Sequence, residues 1–299
     1  MYFLRRRFRL FRHIVIRWWR IHTVVPRLLR YNPYTGFIGR RLFQYIPFLL
    51  PHDKSYYGFV HLVHEGDGLF LDVGANDGIS AIGFRHVHSD YRILSIEPNL
   101  CHEAHLKNLK KRLKRFDYLL AGAGRERLKM TLYIPVYNSV PIYTAASLRK
   151  DHALRKMNEQ HHTAGDKNIV ILEHTVDILP LDDLNLSPDV IKIDTEGYDF
   201  EVLLGMKATI KHCRPVILIE YSPDVYPLHK DFFERNNYKL WTYDHSRDTF
   251  LAFDEVLERD YYLRQKITRN VFCVPMDKFP HLPGISLDPP VVSAGVGAK

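Results

Sequence analysis

The chain has 299 residues, 46% of them hydrophobic, and its Lys and Arg exceed its Asp and Glu by a net charge of +8. That size suits one sizeable α/β domain with additions, and Cys101, Cys213 and Cys273 share no metal-like spacing, which points to a reducing compartment without a disulfide framework. Residues 1–52 hold eleven Arg and no Lys, Asp or Glu; taking those eleven from +8 leaves −3 for residues 53–299, a mildly acidic region with no basic patch, which argues against a nucleic-acid partner.

Residues 2–30 read as an amphipathic helix. Leu4, Phe8, Phe11, Val15, Trp18, Val25 and Leu29 follow a 4/3 spacing interrupted at His22, and arginines such as Arg5, Arg9 and Arg12 fill much of the remainder. No apolar run reaches the ~20 residues that a bilayer span needs. One reading is a helix lying on an anionic membrane, each Arg worth on the order of 1 kcal/mol near that surface. A second is a helix packed on the domain with a solvated arginine face. A third is an organellar presequence, although Ser is lacking. The expected location is cytoplasmic, peripheral on the membrane in the first reading. Pro33, Gly36, Gly39, Pro47 and Pro51 then mark a connecting segment. The expected division is a basic helix and linker over 1–55, a main domain over 56–279 and a flexible tail over 280–299.

Residues 56–65 are apolar enough for a short helix leading into a strand. Leu69 to Val73 is a short apolar run that stops at Gly74, as a buried parallel strand does. Gly74 and Gly78 allow a turn, and Ile79 to Val87 can form a helix. Strand, glycine turn and helix start make the place where an α/β sheet presents backbone N–H groups to a ligand. There is no G-x-G-x-x-G and no Lys-Ser/Thr pair, so neither common phosphate loop is present. Asp72 and Asp77 flank the turn and suit a cationic or hydroxyl-rich ligand rather than a pyrophosphate. Arg92 to Ile96 is the next strand and ends in Glu97-Pro98-Asn99, with Glu97 25 residues after Asp72. An acid there is placed to bind both hydroxyls of a ribose. An adenosine ligand with a positive centre and no pyrophosphate is S-adenosylmethionine.

Residues 101–115 form an exposed helix and Asp117 to Ala121 a third strand. No acid follows that strand, so an adenine there would rely on backbone groups around Ala121 to Ala123. Leu128 to Pro135 is an added strand. Residues 137–167 are the least regular part, polar and poor in Gly, and read as a lid over an acceptor site. His161-His162 on this loop reads as solvated polar chain, and no residue is assigned to a metal, while a bound divalent ion stays open as an activator of the acceptor. Asn168 to Val176 is a strand and Ile178 to Leu184 a turn into a short helix. Val190 to Ile193 is the fourth core strand, Tyr198 to Lys211 its helix, and Val216 to Ile219 the fifth strand, ending in Glu220-Tyr221. A helix over Asp231 to Asn237 and strands over Leu240 to Tyr243 and Val271 to Val274 complete the pattern. Alternation of strands and helices predicts a doubly wound, mostly parallel, seven-stranded sheet.

Two stretches carry a family resemblance. Asp72-Val73-Gly74-Ala75-Asn76-Asp77-Gly78 with Glu97-Pro98 resembles motifs I and II of class I methyltransferases. Ile191-Lys192-Ile193-Asp194-Thr195-Glu196-Gly197-Tyr198, followed by Glu201-Val202-Leu203 and Gly205, resembles the signature of the FkbM family, over residues 56 to 276. Ser147-Leu148 resembles a pair often found there. The resemblance implies a Rossmann-like fold, S-adenosylmethionine as cofactor, and O-methylation of a hydroxyl on a sugar, glycan or secondary metabolite. It implies cofactor contacts for Asp72, Gly74, Asn76, Gly78, Glu97, Ala121 and Asp194. Asp194 and Glu196 are the candidate catalytic residues, Asp194 on the cofactor side or as base and Glu196 orienting the acceptor. The alternative for this pair is helix capping by Asp194 or Thr195. Lys192 and Asp194 share a strand face, so a buried ion pair is a further alternative. Glu220, His174 and the lid histidines are other candidate activators. A redox enzyme using NAD or a nucleotide sugar, and a non-catalytic membrane-bound module, are the competing functions.

Overall fold

A computed structural model describes residues 51, 53–161, 169–254 and 270–279. The predicted helix over 2–30, most of the linker, His162 and the tail from residue 280 lie outside the described residues. No helix among the described residues is long and apolar enough to cross a membrane.

The strands in chain order are β1 (Leu69–Val73), β2 (Arg92–Ile96), β3 (Phe116–Leu119), β4 (Gly122–Ala123), β5 (Leu128–Tyr137), β6 (Val140–Pro141), β7 (Ile169–Leu179), β8 (Val190–Ile193), β9 (Val216–Glu220), β10 (Tyr238–Asp244), β11 (Thr249–Ala252) and β12 (Asn270–Pro275). The main sheet has eight strands in the order β11-β10-β12-β9-β8-β1-β2-β3. The pairs from β9 to β3 are parallel, while β12 runs antiparallel to both β9 and β10. From β1 the chain builds outward through β2 and β3, and from β8 it builds the other way through β9. The order therefore reverses between β1 and β8, where an open α/β sheet leaves a crevice for ligands.

The sheet has eight strands rather than the expected seven because β10 turns back on itself. Asp244 accepts hydrogen bonds from Ser246 N at 2.9 Å and Ser246 Oγ at 2.6 Å, which closes the turn and lets Phe250 on β11 bury completely. A polar turn followed by one alternating apolar residue is a weak sequence signal, and it was not assigned.

Helices α1 (Phe59–Leu62), α2 (Ile79–Arg85), α3 (Glu103–Arg112), α4 (Lys150–His161), α5 (Asp199–Leu204), α6 (Lys207–Cys213) and α7 (Tyr226–Arg235) cover the strands. Strands β1 and β8 are buried at every residue, as a sheet covered on both faces requires. Leu71, Val73, Ile191 and Ile193 pack one face against Val202, Leu203 and Met206, each worth about 1.5–3 kcal/mol when fully buried. The opposite face is aromatic: Phe70 stacks on Phe84 at 4.0 Å and Phe59 meets Phe272 edge-on at 5.2 Å. The single helix expected over Tyr198 to Lys211 is two, α5 and α6, separated by Gly205. A Cβ on Gly205 would lie 1.8 Å from the carbonyl oxygen of Gly124, so the chain passes too close there for a side chain.

A second sheet, β4-β7-β5-β6, rises beside the first. Its centre is the antiparallel ladder of β5 and β7, from Leu128 opposite Ile178 to Tyr137 opposite Ile169. The segment expected to be irregular contains a helix, α4. Ala153 and Met157, one turn apart, are fully buried, so a short apolar stripe docks an otherwise polar helix.

Candidate active site

An open cleft lies at the carboxyl ends of β1, β2 and β8. Gly74, Asn76, Glu97, Ala121, Asp194 and Glu196 line it, whereas Asp72 and Gly78 do not. Six of the eight expected site residues therefore share one cavity.

Strand alternation explains the exception of Asp72. It shares the aromatic face with Phe70 and is completely buried. Its Oδ2 accepts from Ser80 Oγ at 2.7 Å and Ser95 Oγ at 2.8 Å, and its Oδ1 lies 3.6 Å from the Lys192 ammonium. Asp72 thus lies beneath the cleft, beside Lys192, and does not line it. Gly78 starts α2 in the left-handed region, and a Cβ there would strike Leu109 of α3 at 2.5 Å. Its smallness serves helix packing.

Gly74 is left-handed at φ +77°, and a Cβ on it would lie 1.9 Å from the carbonyl oxygen of Asp194. The loops after β1 and β8 touch here, backbone to backbone. Asn76 is also left-handed at φ 52°, which Asn tolerates better than most residues. Its N–H donates to Glu97 Oε2 at 2.7 Å, and Asn99 N donates to Glu97 Oε1 at 2.8 Å. Each carboxylate oxygen of Glu97 thus clamps one loop and retains a lone pair for the cleft. Burial pushes Glu97 up to about 7, and the two N–H donors pull against that shift.

On the other side of Gly74, Lys192 donates to the Gly74 carbonyl at 3.2 Å and lies 3.4 Å from Asp194 Oδ2. Burial draws its ammonium down, and the Asp194 and Asp72 carboxylates outweigh that and raise it. The predicted pairing of Lys192 with Asp194 is present. The predicted capping role is not: α5 has no side-chain cap at its start, and Asp199 instead reaches back to Thr195 N at 2.8 Å and Thr195 Oγ1 at 2.9 Å.

Glu196 sits left-handed at φ 53°, a position that costs of order 1–2 kcal/mol for a residue with a Cβ. Ser147 Oγ holds its carbonyl at 2.7 Å, and its side chain pairs with Lys156 of α4. Oxygens of Asp194, Glu196 and Glu220 lie within 4.8 Å of one another, and Lys156 Nζ is also 3.9 Å from Glu220 Oε2. Burial and the neighbouring Asp194 push Glu196 up to about 8, against the pull of Lys156. Lys156 and its place in this cluster were not foreseen; a lysine on a polar helix carries no local mark of such a partner. His174 is on β7 and does not line the cleft.

The cleft suits an adenosine with a cationic tail. Ile96, Pro98, Ala121 and Leu132 offer apolar walls for a flat base, Glu97 offers free lone pairs for a ribose, and Asp194 adds a carboxylate to the lining that could meet a positive centre. These features suit S-adenosylmethionine, the cofactor expected from the sequence, on a Rossmann-like sheet. Residues 72–240, more than half of the chain, match the methyltransferase FkbM domain, and the chain belongs to that family. Among solved structures it resembles methyltransferase FkbM from Methylobacillus flagellatus, with 17% identity and a TM-score of 0.44, over 72% of this chain and 47% of that one. The chain thus spans about half the length of that protein. It also resembles a precorrin-6y C5,15-methyltransferase from Geobacter metallireducens, with 15% identity and a TM-score of 0.38, over 73% and 83% of the two chains. Aeropyrum pernix fibrillarin with natively bound S-adenosyl-L-methionine is a further likeness, at 7% identity and a TM-score of 0.37, over 77% and 76%. These likenesses are remote, and membership rests on the family match. No curated protein matches the chain.

Proposed function

We propose that this methyltransferase transfers its methyl group to a hydroxyl of a hydroxyl-rich acceptor, a sugar, glycan or secondary metabolite. The supporting observation is the convergence of Asp194, Glu196 and Glu220 beside Gly74, at the reversal of strand order. An alcohol must lose its proton as it attacks, and a base works best when its pKa lies near the working pH. Glu196, pushed up to about 8, meets that need. Of the two roles open to Asp194 in the sequence, this reading keeps the cofactor side, next to Lys192, and gives the acceptor proton to Glu196.

S-adenosylmethionine, when bound, supplies an electrophilic methyl group on a positively charged sulfur. Glu97 would hold the ribose hydroxyls, and Ser147 and Leu148, from the segment between β5 and β7, line the same cleft. Holding two reactants in line is the larger part of the task, since the leaving group is a neutral thioether. A membrane-borne acceptor, such as a lipid-linked glycan, fits the basic apolar stripe of residues 2–30.

A screen of glycan acceptors with labelled methyl donor tests the reading. Glu196→Gln should lower turnover at least ~100-fold with S-adenosylhomocysteine binding intact, the range for loss of a general base. Wild-type turnover in that variant would move the base elsewhere. Protection from thermal unfolding by NAD but not by S-adenosylhomocysteine would restore the redox alternative.

A further inference from the structure

Three carboxylates within 4.8 Å of one another repel strongly unless a cation lies among them. Many proteins place a divalent ion in such a set. Here the set already contains an ammonium. Lys156 Nζ pairs directly with Glu196 and lies 3.9 Å from Glu220 Oε2, and the lysine side chain is only 22% exposed. Asp194 is held separately by Lys192 at 3.4 Å. Lys156 comes from α4 in the segment between the two ladder strands, not from the Rossmann sheet. That segment grips the same loop at two further points. Ser147 Oγ donates to the Glu196 carbonyl at 2.7 Å, and the His152 ring lies where a Cβ on Gly197 would meet it at 2.8 Å.

We propose that Lys156 is a positioning residue for methyl transfer: a built-in cation on the insertion helix that takes the place a divalent ion would occupy among Asp194, Glu196 and Glu220, and so holds Glu196 turned to the cleft. This inference rests on the methyltransferase reading of the site. It makes the insertion part of the catalytic apparatus as well as a wall. It also sets a specific consequence: removing the ammonium leaves Glu196 and Glu220 without Lys156, beside an Asp194 still held by Lys192, and these are hard oxygen ligands of the type that Mn²⁺ and Mg²⁺ prefer. An arginine at 156 retains the charge and should retain the exclusion.

The test uses the full chain as wild type, Lys156→Met, Lys156→Arg and the double variant Lys156→Met/Glu196→Gln. Mn²⁺ uptake is read from the loss of the free-ion electron paramagnetic resonance signal. In the same samples S-adenosylhomocysteine binding is read by calorimetry. Lys156→Met should bind one Mn²⁺ at least ~10-fold more tightly than wild type or Lys156→Arg, because a like charge has left the site. The double variant should lose that gain. Lys156→Gln replaces Lys156→Met if the latter does not fold. Equal Mn²⁺ affinity in wild type and Lys156→Met overturns the proposal, as does a Lys156→Met protein that binds S-adenosylhomocysteine normally but gains no Mn²⁺. Failure of S-adenosylhomocysteine to bind the wild type would instead count against the methyltransferase reading, and the Mn²⁺ comparison would still decide the role of Lys156.

Discussion

The two ends of the cleft are built differently. At the cofactor end, Glu97 is fixed by backbone N–H groups from Asn76 and Asn99, and the loops after β1 and β8 touch through Gly74 and the Asp194 carbonyl. At the proposed acceptor end, position depends on side-chain charges: Lys156 pairs with Glu196 and lies near Glu220, while Lys192 on Asp194 stands between the two ends. The first end is local backbone geometry. The second is an arrangement among residues from separate elements, which can change without disturbing the sheet.

The largest effect should come from breaking the backbone contact. Gly74→Ala places a Cβ 1.9 Å from a backbone oxygen at a left-handed position, so neither neighbour can yield cheaply. We expect a loss of about 3 kcal/mol or more in urea unfolding. Gly78→Ala, which meets the flexible ends of Leu109 at 2.5 Å and Leu106 at 3.3 Å, should lose about 1–2 kcal/mol. If the two variants unfold alike, the contact between the β1 and β8 loops does not carry the stability argued for it.

Next in size is Glu97→Ala. It removes charge-assisted hydrogen bonds of roughly 1.5–3 kcal/mol each and strands two N–H donors. S-adenosylhomocysteine affinity should fall on the order of 10–100-fold by calorimetry. Unchanged affinity would mean that Glu97 serves only the loops it clamps.

How much of this was legible in the sequence follows the same division. Strands β1, β2, β8 and β9 end where their apolar runs end, so the positions of Gly74, Glu97 and Asp194 could be read from spacing. Asp72 was placed at the ligand, but it shares a strand face with Phe70 and is buried against Ser80 and Ser95; period-two alternation already contained that answer. Lys156 could not be read. Its partner Glu196 is 40 residues away, joined to it only by the packing of α4 on the second sheet, and pairing of this kind leaves no periodic trace. The extra strand β11 was missed for a related reason: its hairpin depends on Asp244 closing a turn, not on a strong apolar run.

The pH response separates the two ends more gently. Glu97 is raised to about 7 by burial, so the folded apo-protein prefers its protonated form, while a ribose hydroxyl is better met by the carboxylate. S-adenosylhomocysteine affinity should therefore decline as pH falls below about 7, approaching ~10-fold per pH unit, and Glu196→Gln should leave that slope unchanged. Glu196 is raised to about 8, so its contribution to stability is full below the unfolded carboxyl value and is lost as pH rises through about 8. Melting temperature should fall less between pH 5 and pH 8.5 in Glu196→Gln than in wild type; an equal fall would remove Glu196 from the titrating groups of the cluster.

The smallest effect concerns an ion pair of the ordinary kind. Lys110 on α3 and Asp117 on β3 are 2.6 Å apart, with side chains 50% and 58% exposed. The Lys110 hydrogen bond holds the Asp117 carboxyl below its usual value, so this pair stabilises above the unfolded carboxyl pKa and is lost as pH falls through the folded one. That is the opposite sign to Glu196. Water and salt screen the pair, and a double-mutant cycle should give a coupling of about 0.2–1 kcal/mol that shrinks in high salt. The same cycle on Lys156 and Glu196 should give a larger coupling that salt changes little, because the side chains are each 22% exposed and a removed partner leaves a half-buried charge. Equal couplings with equal salt dependence would mean that the acceptor end is held no more firmly than a surface pair, and that its geometry is set by the backbone of the Asp194–Gly197 loop alone.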